Sequence, residues 1–147
     1  MYKRILVATD GSTLSKKATQ AAIDLAALSS AELVVVKVVP RYPTSYFEGG
    51  VSISAKDVER IEKEWTQAAQ SVIDKVVSAA SASGVKARGL TVRSDIVADA
   101  LISTARKVRS DLIVMASHGR RGLKRVLLGS ETQHVLTHST TPVLVLR

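Results

Sequence analysis

A doubly wound α/β fold on a parallel sheet is the class predicted by this sequence of 147 residues. Short apolar runs alternate along the chain with segments whose apolar residues recur at helical spacing. Most runs are continuous rather than alternating, as in strands buried on both faces. Between successive runs lie enough residues for a helical crossover, the connection that parallel neighbours require.

The elements follow in order. "RILVAT" at 4–9 is a first strand ending in Asp10-Gly11-Ser12, and Leu14, Ala18, Ala21, Ala22, Leu25 and Leu28 then mark a helix. "ELVVVKVV" at 32–39 is the second strand, stopped by Pro40. Residues 40–54, with Pro43, Gly49 and Gly50, form the longest irregular stretch, expected to be a lid or a contact surface. Val58, Ile61, Trp65, Ala69, Val72, Val76 and Ala80 lie on one stripe of a long helix over 56–83, which Gly84 stops. That stripe reads as core or dimer surface. "VKARGLTV" at 85–92 is a weaker strand in which Gly89 suggests a bulge or an edge. Asp95 is placed to cap a helix carrying Ile96, Ala100, Leu101, Ala105 and Val108. "DLIVMA" at 111–116 is the fourth strand, a short helix spans about 130–137, and "VLVLR" after Pro142 is the last strand. No repeat or linker divides the chain, so one domain over 1–147 is expected.

Composition narrows the functional classes. Apolar residues make up 46% of the chain but aromatic ones only 3%, so the core must be aliphatic. Without cysteine there is no disulfide and no thiolate chemistry. No apolar stretch approaches the roughly 20 residues that cross a bilayer, and "MYKRILVATD" lacks the pattern of a signal peptide. A cytoplasmic protein with no membrane partner is expected. The formal charge is +8, with a sequence pI near 10.1. Its basic residues are scattered, at Lys3, Arg4, Lys86, Arg88, Arg106, Lys107 and Arg109 among others, and only residues 116–130 concentrate them. No basic arm or aromatic-interleaved strand offers a base-reading surface, so a nucleic-acid partner is not expected.

The segment "ASHGRRGLKRVLLGS" at 116–130 holds three glycines and four cationic side chains at the end of the fourth strand. In doubly wound sheets ligands bind beyond the carboxyl ends of the strands, where the winding reverses. "TDGS" at 9–12 occupies a second such end, and the two loops face each other if the first and fourth strands are neighbours. Gly129-Ser130 would open the last helix, whose unpaired N–H groups and partial positive charge suit an anion. Glycine spacing alone leaves an anion cradle and a simple turn equally open. The P-loop pattern is absent, and "TDGST" lacks the G-x-G-x-x-G of dinucleotide folds.

Across nearly the whole chain the sequence resembles the universal stress protein family of the single-domain type. The pieces that carry the resemblance are "ILVATDGS", "VVKVVP", "DLIVMASHG", the spaced "GS" and the ending "TPVLVLR". Nucleotide-binding members carry G-x-x-G, nine residues, then G-[ST]; here that register gives Ala116-Ser117-His118-Gly119, residues 120–128, then Gly129-Ser130. The resemblance implies a five-stranded sheet in the order 3-2-1-4-5 with helices on both faces, and an ATP-type ligand, with or without Mg2+, at its C-terminal edge. It places Ala8, Thr9 and Asp10 near adenine or ribose, Val38 at the adenine edge, and Met115 and Ala116 by the ribose. Gly119, Gly129, Ser130, Glu131 and Thr132 would hold phosphates, with His118 and Arg120 beside the ligand. It also implies a homodimer through the last strand, Pro142 to Arg147, and an apolar edge there agrees with that.

Ala116 departs from the family's first glycine, and its methyl matters if the position needs positive φ or very close approach. Glu131 puts a carboxylate beside the phosphate seat, which a divalent cation would reconcile. His134 and His138 have metal-ligand spacing but no third ligand at a telling position, so no metal site is expected there. Asp10 is the strongest polar candidate, its alternative being to cap the following turn with Ser12. No residue stands out as positioning a water, so binding is expected, with at most slow ATP hydrolysis. The expected function is a cytoplasmic, ATP-binding stress-response dimer that regulates partners. The alternatives are an interaction module that has lost nucleotide binding, and a slow ATPase or autophosphorylating protein.

Overall fold

The computed structural model describes residues 1–43, 53–119 and 128–147. Strands β1 (Arg4–Ala8), β2 (Glu32–Val39), β3 (Ala87–Arg93), β4 (Leu112–Ala116) and β5 (Val143–Leu146) alternate with helices α1 (Thr13–Ser29), α2 (Ala55–Ala82), α3 (Val97–Lys107) and α4 (Ser130–His138). Every strand pairing is parallel, and the five-stranded sheet has the order β3-β2-β1-β4-β5. The expected architecture and strand order are both present.

The continuous apolar runs are explained by burial on two sides. Ile5, Val7, Leu33, Val35, Leu112 and Val114 face one core with Ala18, Ala22 and Ala26 of α1 and Ile73 of α2. Leu6, Val34, Val36, Ile113 and Met115 face the other, with Ala98, Leu101 and Ala105 of α3 and Val135 of α4. Alanines on α1 let that helix lie close to the sheet, and both cores are aliphatic, as the composition requires.

Three local expectations are corrected. Gly89 does lie on an outer strand, but it is no bulge: the β2–β3 register runs unbroken from Leu33↔Ala87 to Val39↔Arg93. Its glycine is required because a Cβ there would collide with the buried side chain of Ile73. Asp95 does not cap α3. Ile96 holds that position without a side-chain hydrogen bond, while the Asp95 carboxylate accepts the Arg41 N–H at 3.1 Å. Leu28, counted in the α1 stripe, is 82% exposed in the last turn. Trp65 is half-buried and stacks on Tyr42, ring centroids 6.0 Å apart. Of the irregular stretch 40–54, residues 44–52 lie outside the described residues.

At the N-terminal edge of the sheet, Glu32 accepts hydrogen bonds from Arg4 Nε and Arg88 Nε, each at 2.9 Å, and so ties β2 to both its neighbours. Arg4 also donates to the carbonyl of Val108 at 2.6 Å. Desolvation pushes the Glu32 carboxyl up, but the hydrogen bonds and charges of Arg4 and Arg88 outweigh it, leaving the group below its ordinary value of 4.5. A carboxyl depressed by folding stabilises the native state above its unfolded value, and that contribution is lost as pH falls through the folded value. Glu32→Gln should therefore melt below the wild type at neutral pH, and calorimetry from neutral pH into acid should show the gap closing. A gap that stays constant or widens in acid would contradict this role.

Candidate functional site

The site begins where β1 stops. Thr9 continues the strand by donating its N–H to Val36 O at 3.0 Å, and Gly11 turns the chain with φ +79°, a value that favours glycine. Asp10 Oδ1 accepts the Ser12 N–H at 2.8 Å, and Ser12 Oγ accepts the Ser15 N–H at 3.2 Å as the N-cap of α1. Asp10 thus makes the turn contact expected of its alternative role, and that contact also holds its carboxylate at the sheet edge. Opposite it, β4 leaves the sheet through Ser117, His118 and Gly119. A Cβ at Gly119 would come within 2.9 Å of Asp10 Oδ2, so glycine lets the two loops approach.

A second set of bonds holds the start of α4 against the end of β4. The Gly129 N–H donates to Ser117 O at 2.8 Å, and the buried Thr132 hydroxyl donates to Ala116 O at 3.0 Å. A Cβ at Gly129 would sit 3.3 Å from His118 Cα, so this glycine also serves close passage, with φ at −60°. Ala116 takes no positive φ; it lies within β4 opposite Leu146, in extended backbone that accepts any L-residue.

Between these walls lies a cleft of about 200 Å³. Val36, Val38, Met115, Ala116, Val97 and Leu101 supply its apolar lining; Ala8, Thr9, Asp10, Ser15, His118, Gly119, Glu131 and Thr132 complete it. Ten of the residues singled out from the sequence therefore meet in one cleft. Gly129 and Ser130 stand beside it as the N-cap and first residue of α4. Arg120 lies outside the described residues. Sequence reading missed Ser15, Val36, Val97 and Leu101. Val36 was findable, since it shares a strand face with Val38 two residues on.

Glu131 has an unexpected role. Its Oε2 accepts the Ala98 N–H at 3.0 Å, so it caps α3 from across the cleft in place of Asp95. A carboxylate there satisfies one orphan donor and faces the positive end of the α3 dipole. His134 Nε2 meets Asp99 Oδ1 at 2.9 Å, and its ring lies against that of His138, centroids 4.3 Å apart and planes tilted by 35°. Among the described residues, no group of three or more His, Cys, Asp or Glu is arranged to hold a metal ion.

The chain is thus a doubly wound parallel α/β protein with a mixed apolar and polar cleft at its switch point, beside the N-terminus of α4. The model of the universal stress protein family matches residues 1–147, and the chain belongs to that family. It is 33% identical to universal stress protein MJ0531 of Methanocaldococcus jannaschii, over 100% of this chain and 83% of that one. It is 32% identical to universal stress protein YxiE of Bacillus subtilis over the full length of both. A crystal structure of a universal stress protein in complex with cAMP superposes with a TM-score of 0.72 at 28% identity, covering 99% of this chain and 97% of that one.

Replacing Glu131 by alanine should leave the first turn of α3 uncapped and cost about 1 kcal/mol of stability. Amide exchange should then speed up at Ala98 relative to the rest of α3. Unchanged exchange there would remove Glu131 as the cap.

Proposed function

We propose that the protein binds an adenine nucleotide in this cleft and acts as a dimeric regulatory module rather than an enzyme. The observation that carries the reading is the convergence of an apolar slot, the Asp10 turn and the N-terminus of α4 in one cleft. The complex of a relative with cAMP supports the ligand class. Adenine fits against Val36, Val38 and Met115, the ribose beside Asp10 and Ala116, and phosphates at the amides of residues 130–132. The cleft is smaller than the 300–1,000 Å³ usual for enclosed ligand sites, so the phosphates project past its mouth. ATP is the proposed nucleotide. Mg2+, which commonly uses one or two carboxylates plus substrate phosphates, would find them in Asp10 and Glu131. Hydroxyls and carboxylates of the lining are committed to turn and cap hydrogen bonds, which favours holding a ligand over transforming it. The setting proposed is a single cytoplasmic domain over 1–147, signalling to protein partners through residues 40–54.

Ligand at 100 times its Kd stabilises a native state by about 2.7 kcal/mol. For a domain of this size, saturating MgATP should raise Tm by roughly 5–10 °C. Gly129→Val should melt somewhat lower without ligand, because its Cβ presses on His118, and should show no such rise with MgATP. No shift with ATP, ADP or AMP at millimolar concentration would overturn nucleotide binding.

The dimer is proposed through β5, the outer strand on its side of the sheet, whose Leu144 is 39% exposed. Light scattering after gel filtration should give twice the 15.7 kDa chain mass, and Leu144→Asp should shift the mass toward one chain. A wild-type protein monomeric at micromolar concentration would refute it.

A further inference from the structure

Cations that are scattered in the sequence converge in space. Lys86, Lys3 with Arg4, and Arg109 stand at the starts of β3, β1 and β4, at the N-terminal edge of the sheet and opposite the cleft. With strands about 4.8 Å apart, this row spans about 15 Å. Arg106 and Lys107 extend it from the last turn of α3. We propose that this edge is a docking surface for an anionic phospholipid bilayer, on which the protein lies without crossing it.

The edge is positive because Lys3, Arg4, Lys86, Arg88, Arg106, Lys107 and Arg109 outnumber the carboxylates of Glu32 and Asp111 there. Glu32 is shared by Arg4 and Arg88, and Asp111 accepts the backbone N–H groups of Lys3 and Arg4 at 2.8 and 3.1 Å. Among the described residues, no ion pair engages the side chains of Lys3, Lys86, Arg106, Lys107 or Arg109. Offsetting a helix dipole accounts for Arg106 and Lys107, in the last turn of α3. It does not account for Lys3 or Lys86, while the last turns of α1 and α2 carry no basic residue. Arg109 adds an independent sign. Just past the end of α3 it takes φ +57°, the left-handed conformation for which glycine is favoured, yet an arginine stands there. Holding a cation at that backbone cost fits a surface where charge is used.

A bilayer suits the edge better than a nucleic acid. Leu28, in the last turn of α1 and so at this same edge, is 82% exposed. An acyl layer receives such a side chain, whereas a phosphate backbone gives it nothing. Single-stranded nucleic acid wants aromatic stacking, and Tyr2, the aromatic at this edge, packs against the core. No helix among the described residues is long and apolar enough to span a membrane, and surface docking requires none. Because cleft and docking edge lie at opposite ends of the strands, nucleotide and lipid would bind together.

Sedimentation with extruded vesicles tests the proposal. The protein should pellet with equal parts phosphatidylcholine and phosphatidylglycerol, stay in solution with phosphatidylcholine alone, and dissociate at high salt. Each cation near an anionic surface contributes about fivefold, so Lys107→Gln with Arg109→Gly should weaken partitioning about 25-fold. Arg109→Gly alone should leave Tm unchanged or higher, which separates lost charge from lost fold. Lys56→Gln with Lys63→Gln removes as much charge from the outer part of α2 and should leave binding intact. Leu28→Ser should weaken vesicle binding and leave any binding to duplex DNA unchanged. Equal binding to neutral vesicles, or equal loss in the α2 variant, would overturn the proposal. Tighter binding to duplex DNA than to anionic vesicles at the same salt would also overturn it and assign the edge to nucleic acid.

Discussion

Everything at the cleft edge of the sheet depends on β1 and β4 running side by side in the same direction. Their register, Ile5↔Leu112 to Val7↔Val114, brings two strand ends separated by about three quarters of the sequence to the same edge. The helices that follow these strands, α1 and α4, pack on opposite faces, so among the described residues no helix covers the space between the two strand ends. A hairpin would have closed that space with a turn; parallel pairing leaves it open. The cleft is therefore a result of topology first and of side chains second.

Side-chain size then decides how closely the walls approach. Gly119 passes the Asp10 carboxylate and Gly129 passes the turn at residues 117–118, and at both points a methyl group would press on a neighbour. Neither residue uses the positive φ for which glycine is usually invoked. Ala116 shows the converse: it occupies regular strand and needs no glycine on backbone grounds. What shapes this cleft is the absence of Cβ atoms at two close crossings rather than flexibility of a glycine-rich segment.

The fold was largely legible in the sequence because it rests on patterns that local residues carry: unbroken apolar runs for doubly buried strands and a helical period between them. The site was legible where it coincides with strand ends, as at Asp10 and Met115. Failures occurred where the deciding contact comes from another element. Asp95 has the chemistry of an N-cap, yet the carboxylate that caps α3 comes from Glu131, thirty-three residues beyond the Ala98 amide it accepts. Gly89 reads equally well as bulge or close approach until Ile73 is placed against it. Leu101 and Val97 follow a core period, and only the opening between β1 and β4 makes them part of a lining. Scattered cations gave no warning of the row they form once strand order is known.

The bond from Glu131 to the α3 amide has a mechanical meaning. It fastens the entrance of the cleft to the beginning of a helix on the outer layer of the molecule. Rotation of the first turn of α4 by enough to break that contact frees an α3 amide at the same moment. The starts of α3 and α4 are thereby joined by a bond that does not pass through the sheet.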